Sequence, residues 1–416
     1  MTDERELDLV LFGATGFVGR LVAEHLARAA PAGTRIGLAG RSRERLEAAR
    51  DGLGGEAASW PLVVADSADA ASLDRLARRA SVVVSTVGPY ARHWLPLVAA
   101  CVAAGTHYAD LTGETLFVRE LVERWHEPAR ERGARIVVSC GFDSVPSDLA
   151  VHLLHGRATA DGAGGLTDTT LRVRRLVGGL SGGTIDSMRM QLDRARRDAA
   201  LRRVLADPAA LSAPELPGGA RLAPGQPDVL RPFLDAETGE WDAPFVMASY
   251  NTRLVRRSDA LRGAAGVGGY GSRFRYREVQ PTGRGAGGRA RATAIAAGLA
   301  AAVVAIATPG IRTVVDRMLP SPGEGPSEER RRAGAFTMET TTRTESVRRY
   351  RATVAAEGDP GYAATSVMLG EAGLALAVDG ERCSAEGGVL TPAVAMGDVL
   401  VERLRREGFV LDVAPA

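Results

Sequence analysis

The sequence predicts an α/β protein, with an N-terminal Rossmann-type doubly wound parallel sheet and a second, α+β substrate domain. Three observations predict it. An apolar run at residues 7–12 breaks at Gly13, glycines follow at 16 and 19, and an amphipathic segment runs over 17–29. Six strand-like runs then alternate with helical segments up to Cys140, the pattern of repeated β-α-β units. Beyond Val151 strands come in runs with intervening helices, which reads as α+β. The expected division is 1–150 for a dinucleotide-binding domain and 151–390 for a substrate or acyl-binding domain. Residues 391–416 are expected to form a C-terminal helix and tail packing back on the first domain.

The first strand, turn and helix carry the most information. A helix N-terminus after a tight glycine turn presents unpaired N–H groups and a positive dipole end, which suits a pyrophosphate. Gly13 allows the turn, Gly16 lets the phosphates approach the backbone, and Gly19 lets helix and strand pack closely. Thr15, Phe17 and Val18 belong to the same phosphate-binding turn. The second strand, 34–39, runs into Gly40-Arg41-Ser42-Arg43. An acidic residue there would favour NAD, whereas a guanidinium pairs with the 2′-phosphate of NADP. Arg41 and Ser42 are the expected phosphate contacts, with Arg43 as a helper or a solvating charge.

Further strands are expected at 62–65, 82–87, 106–110 and 135–140, and helices at 43–50, 69–79, 92–104 and 115–132. Ligands bind beyond the C-terminal ends of such strands. Asp66 and Ser67 should flank the adenine. Thr86, Val87, Gly88 and Pro89 should lie along the nicotinamide. Tyr90 either hydrogen-bonds a developing enolate and donates its proton or forms a packing wall. Residues 110–114 contact the nicotinamide side or cap the next helix. In the 141–148 stretch Asp143 and Ser144 could orient substrate or the cofactor amide, while Asp148 reads first as a helix cap. His93 and His107 fall near the cleft by sequence position, with a structural role favoured for each.

In the second half strands are expected at 169–177, 247–256 and 274–279, and a helix at 184–205. A proline-rich loop should fill 208–244. A threonine-rich hairpin is expected at 336–344 and 347–355, then helices at 362–377 and 391–406. Residues 292–311 carry no charge and lie between Arg291 and Arg312. As a helix this stretch would reach about 30 Å, the thickness of a bilayer core. It reads as a buried helix, a lipid-facing surface helix or a span.

The chain has 416 residues, 45% hydrophobic and 25% charged, with a net charge of +2. This balance fits a soluble globular protein and implies no nucleic-acid surface. All 52 basic residues are arginine. Arginine stays protonated, so a catalytic lysine and a Tyr-x-x-x-Lys mechanism are both excluded. Cys101, Cys140 and Cys383 are too few and scattered for a disulfide framework or metal site. Reduced thiols and an acidic N-terminus without a signal peptide suggest the cytoplasm. Peripheral membrane contact through 292–311 and a homodimer are compatible with these features.

VLFGATGFVG, LAGRS, STVGPY, YADLTGE, CGFDSVPSD, GYAATSVMLGEAGLALA and GGVLTPAVAMGD occur in this order. Together they resemble the saccharopine dehydrogenase-like family over nearly the whole chain. Within it the details are similar to the trans-acting enoyl reductases of mycobacterial polyketide-lipid biosynthesis, including the 250–258 stretch. The resemblance implies NADPH-dependent reduction of a 2-enoyl thioester held on the carrier protein of a polyketide synthase. The sequence departs from saccharopine dehydrogenases proper, since the second domain has no lysine and no histidine beyond His155. That suits a neutral acyl chain better than an amino-dicarboxylate, although Arg172, Arg174, Arg253 and Arg256 could bind carboxylates. Enoyl reduction needs a hydride at the β-carbon and a proton at the α-carbon. Tyr90 and Asp143 are the catalytic candidates. The other readings are reduction of a C=N or C=O bond, or a non-catalytic nucleotide-binding protein on membranes.

Overall fold

Strand β1 (Leu7–Phe12) is the axis of the first sheet. Leu9, Val10 and Leu11 are fully buried, as expected of a parallel strand covered on both faces. The computed structural model describes residues 5–88, 95–179, 182–212, 226–308 and 325–416. After β1 come α1 (Phe17–Ala29), β2 (Ile36–Gly40), α2 (Arg43–Asp51), β3 (Leu62–Val64), α3 (Ala70–Arg79) and β4 (Ala80–Ser85). The next elements are α4 (Leu95–Ala104), β5 (His107–Ala109), α5 (Thr115–Glu131) and β6 (Arg135–Val137). Helix α6 (Val145–Ala160) then leads to β7 (Leu166–Val177), in a second sheet.

The first sheet is wholly parallel, in the order β3-β2-β1-β4-β5-β6 with a seventh strand beyond β6. Strand order reverses between β1 and β4, and a crevice at such a switch point is where dinucleotides bind. The helices have local causes. Ser42 accepts from Arg45 N at 3.3 Å to start α2, and Asp69 accepts from Ala71 N at 3.0 Å to start α3.

The second half adds α7 (Gly182–Arg197), α8 (Ala199–Ala206), β8 (Phe233–Leu234), β9 (Trp241–Pro244), α9 (Ala248–Ala264), β10 (Arg275–Pro281) and α10 (Gly285–Ala307). Then follow α11 (Glu328–Arg332), the hairpin β11 (Ala335–Thr344) and β12 (Arg349–Glu357), and α12 (Thr365–Val378). The chain ends with β13 (Gly388–Leu390), α13 (Pro392–Ala395), α14 (Gly397–Arg406) and β14 (Val410–Pro415). The second sheet is mixed, in the order β14-β12-β11-β7-β10-β9-β8, with β7 and β10 parallel and the other pairs antiparallel.

Four expectations need correction. The domain limits at 390 do not follow the sheets: β13 is the seventh strand of the first sheet, beside β6, and β14 is an edge of the second. Helix α12, expected within the second domain, packs on α1, β1, β4 and β5 of the first. The helix expected at 184–205 breaks at Asp198, whose carboxylate caps α8 through Ala200 N. The 247–256 strand is the helix α9 instead. Its arginines 253, 256 and 257 are all buried, which erases the polar face that a helical period would show. Arg253 donates to the carbonyls of Asp207 and Leu205 and to the Asp228 carboxylate. Arg256 donates to Pro208 O and Tyr276 O, and Arg257 to Leu211 O. The buried guanidiniums supply donors to the carbonyls at the end of α8 and just beyond it, and to Tyr276 O of β10.

Candidate active site

The site begins at the glycine turn. Gly13 has φ +92°, and a Cβ there would sit 2.5 Å from Val87 Cγ2. Gly19 has a packing role: a Cβ would fall 2.0 Å from Gly13 O. Gly16 differs from both. It is exposed, and among the described residues a Cβ would meet only Gly13 O, at 3.4 Å. No described residue fills the space in front of Gly16, as a position facing a ligand requires. No side chain caps α1, and Gly16 occupies its N-cap. The first turn of α1, with Phe17 and Val18, therefore offers backbone donors and a positive dipole end to an anion. Thr15 is half-buried beside Gly40. The Phe17 ring packs edge-on against Tyr362 with centroids 5.1 Å apart, under the Arg331 guanidinium at 5.3 Å. Phe17 can thus serve a phosphate through its N–H, while its ring docks segments of the second half.

Arg41 follows β2 directly. Its side chain is exposed and has no hydrogen-bond or ion-pair partner among the described residues. Ser42 uses its oxygen to cap α2, leaving its hydroxyl proton to donate. Arg43 pairs with Glu47 at 3.1 Å, which accounts for it as a surface charge of α2. Asp66 and Ser67 lie just past β3, where Asp66 Oδ1 accepts from Ala68 N at 3.0 Å and shapes the turn into α3. Thr86, Val87 and Gly88 follow β4. Thr86 Oγ1 donates to Gly13 O at 3.2 Å, joining the β4 end to the glycine turn across the switch point. Pro89, Tyr90 and His93 lie outside the described residues. The remaining cofactor candidates line one edge in the order β3-β2-β1-β4. An exposed cradle, an uncapped helix N-terminus and a free guanidinium after β2 fit a 2′-phosphorylated dinucleotide.

Beyond β5 and β6 the edge turns acidic. Asp110 is buried and accepts from Thr112 N, Ser139 N and the Tyr108 hydroxyl. Burial pushes its carboxyl up to about 7 against the pull of these bonds. It is a scaffold for the loops after β5 and β6. Ser139 is left-handed at φ +64°, and its hydroxyl meets the Tyr250 hydroxyl of α9 in a short bond. Burial lifts the Tyr250 phenol well above its usual range. Glu114 Oε1 accepts from Ser187 of α7 at 2.7 Å, and Gln191 of α7 accepts from Leu116 N at 3.3 Å. Helix α7 therefore roofs this end of the crevice.

Asp143 is the group here with chemical freedom. It keeps part of its surface accessible, its Oδ2 faces Gly113, and among the described residues nothing hydrogen-bonds its carboxylate. Its surroundings are otherwise low in water, and burial pushes its carboxyl up to about 6. The 141–142 segment beside it is fixed by Phe142 N donating to Thr365 Oγ1 at 3.0 Å.

The structural role favoured for His107 holds, and the cap expected of Asp148 does not. His107 begins β5, at the sheet edge away from the cofactor. It accepts from Arg135 N at 3.1 Å, and burial drives its pKa down to about 3, so its role is structural. Asp148 does not cap its own helix. Its carboxylate accepts from Ala393 N at 2.8 Å and from Ser258, tying α6 to α13 and α9. Sequence reasoning missed Ser139, Tyr250 and Ser187. A serine that must adopt positive φ carries no signal in a single sequence, and the partners lie 111 residues apart for Ser139 and Tyr250 and 73 apart for Ser187 and Glu114.

The arrangement has known counterparts. Residues 9–137 match the family described as saccharopine dehydrogenase NADP binding domain. The trans-acting enoyl reductase of Mycobacterium bovis BCG is 45% identical over 417 residues, 98% of each chain. That of Mycobacterium ulcerans is 44% identical over 425 residues, again 98% of each. A Mycobacterium tuberculosis H37Rv protein that carries the same name provisionally is 50% identical over 418 residues, 98% of this chain and 97% of its own. The chain belongs to the trans-acting enoyl reductase family. Among solved structures, apo saccharopine dehydrogenase (L-Glu forming) from Saccharomyces cerevisiae aligns over 98% of this chain and 99% of its own. Its TM-score is 0.53 at 14% identity, which shows a shared two-sheet fold. This member of the family is thus an NADP(H)-dependent oxidoreductase, as the glycine turn and Arg41 led us to expect.

Proposed function

We propose that the protein reduces the carbon–carbon double bond of a 2-enoyl thioester presented by the carrier protein of a polyketide synthase in complex-lipid biosynthesis. The observation that carries this reading is identity of 44–50% over essentially full length to proteins named for that activity. The second half supports a neutral substrate. Arg172 pairs with Asp235 at 2.8 Å, and Arg174 with Glu240 at 2.8 Å and Glu339 at 3.0 Å. Arg253 and Arg256 are engaged as described above. These four arginines, the obvious anchors for an amino-dicarboxylate, are already paired within the chain.

Bound NADPH supplies the hydride to the β-carbon. The protein holds and orients. The first turn of α1 and Gly16 receive the pyrophosphate, Arg41 the 2′-phosphate, and residues 86–88 bound the nicotinamide side. Asp143, protonated below about pH 6, gives its proton to the α-carbon. Tyr90 is the other donor that the sequence offers. Single-turnover reduction by Asp143→Asn and Tyr90→Phe separates them, because a general acid contributes about 10²–10⁴-fold.

The overall reading is tested with enoyl-carrier-protein substrates and NADPH, followed by mass spectrometry. A gain of two hydrogens, one of them carried from deuterium-labelled NADPH to the β-carbon, is expected. NADPH consumption only with imine or ketone substrates would overturn it.

A further inference from the structure

Helix α10 is long, apolar and almost uncovered. Its window of highest hydropathy, Gly285–Ile306, averages 1.5 and is only 6% buried. The other helix of comparable apolarity, Pro360–Val378, is 72% buried and belongs to the core. Among the described residues, the start of α10 makes specific contacts. Gly288 abuts Gly283 O, the Arg289 guanidinium lies 5.6 Å from the Trp241 ring, and Arg291 donates to Thr282 O at 2.9 Å. Ala292 is buried, and beyond it Ile295, Leu299 and Ile306 are half-buried while most of the other described residues are exposed, Val303 and Val304 by 52% and 58%.

Two features identify what covers it. No charged residue occurs on any side of the helix from 292 to 306. A protein groove would bury one stripe and leave the rest wet, whereas a lipid phase covers all sides. The charge is one-signed: residues 279–308 hold Arg284, Arg289 and Arg291 and no acidic residue. That basic end complements anionic headgroups.

The topology excludes a simple crossing. Strand β10 before α10 and β11 after it belong to the same sheet. The stretch 309–324 between α10 and the next described residue contains Arg312, Asp316 and Arg317, so it offers no second apolar span, and irregular backbone is not tolerated in lipid. We propose that α10 lies in the headgroup–acyl boundary of a membrane containing anionic lipids, as a monotopic contact. It adjoins α7, the roof of the candidate active site, which places that site near the bilayer surface. The inference stands on the helix and not on the reaction proposed above.

The test is flotation of the full-length protein with vesicles of phosphatidylcholine, alone or mixed with phosphatidylglycerol. The protein should float with the mixed vesicles, less so at high salt. The double variant Val303→Glu/Val304→Glu should lose binding roughly tenfold or more, with unchanged far-UV circular dichroism and NADPH affinity, because both side chains are exposed and neither is among the cofactor candidates. A wild-type protein that stays with neither vesicle, or a variant that floats as well as wild type, would overturn the proposal. So would a wild-type oligomer that the variant disperses without any vesicle binding, which would assign the helix to self-association.

Discussion

Arg41 illustrates what one residue can decide. It follows β2 directly and has no partner among the described residues, so its removal should disturb little of the fold. A bidentate, charge-assisted contact contributes about 1.5–3 kcal/mol. Arg41→Ala should weaken NADPH binding about tenfold to a hundredfold and leave NADH binding nearly unchanged, as titration calorimetry would read. Equal losses for both cofactors would remove the assignment. Asp143 is tested through pH. Burial raises its pKa to about 6, so the acid form is present below that value and lost as pH rises through it. The single-turnover rate should therefore fall about tenfold per unit above pH 6. Asp143→Asn should be slow and flat with pH while keeping its NADPH affinity. A wild-type rate that is flat from pH 5 to 8 would sink the role. Both residues stood out in the sequence because their signals are local: a charge just off a strand, and an acid in a glycine-proline turn. Ser139 and Tyr250 did not, because their meaning lies in a contact spanning more than a hundred residues.

At the scale of elements, α1 carries two glycines with opposite reasons for being glycine. Gly16 faces open space and Gly19 faces Gly13 O. Gly16→Val should fold normally and lose NADPH binding, because the branched side chain fills the pyrophosphate's place. Gly19→Ala must push α1 off the turn, since a backbone carbonyl cannot rotate aside. Overpacking of this kind costs about 1–3 kcal/mol, so urea unfolding should show a lower midpoint. If Gly19→Ala unfolds like wild type, the close packing is not a constraint. The first six strands and the helices between them were legible from periodicity, since each is a short apolar run between polar helical faces. Helix α9 was not. Its tyrosine, threonine and valine suggest a strand, and tertiary contacts outweigh that propensity. The final strands were missed for a different reason. β13 is three residues long, and β14 sits in a tail that reads as surface.

Over the whole molecule the chain passes from the first sheet to the second, back for β13, and out again for β14. Buried polar ties secure the return. His25 of α1 lies 2.7 Å from Glu371 of α12, which also accepts from Arg403 of α14 at 2.8 Å. Asp148, Ser258 and Thr391 join α6 and α9 to the start of α13. Neither sheet can lose its order without withdrawing strands or helices from the other. Two domains joined by a single linker would melt separately, and a ligand would protect only the domain that binds it. This chain should instead melt in one calorimetric transition. NADPH at a hundred times its dissociation constant adds about 2.7 kcal/mol to the native state, and the whole transition should move upward. Far-UV and near-UV circular dichroism should report the same midpoint with and without NADPH. Two resolved transitions, only one of them shifted by NADPH, would show that the interleaved path does not couple the sheets. The expected single shift would mean that occupancy of the cofactor edge is felt at β14, the edge strand of the opposite sheet.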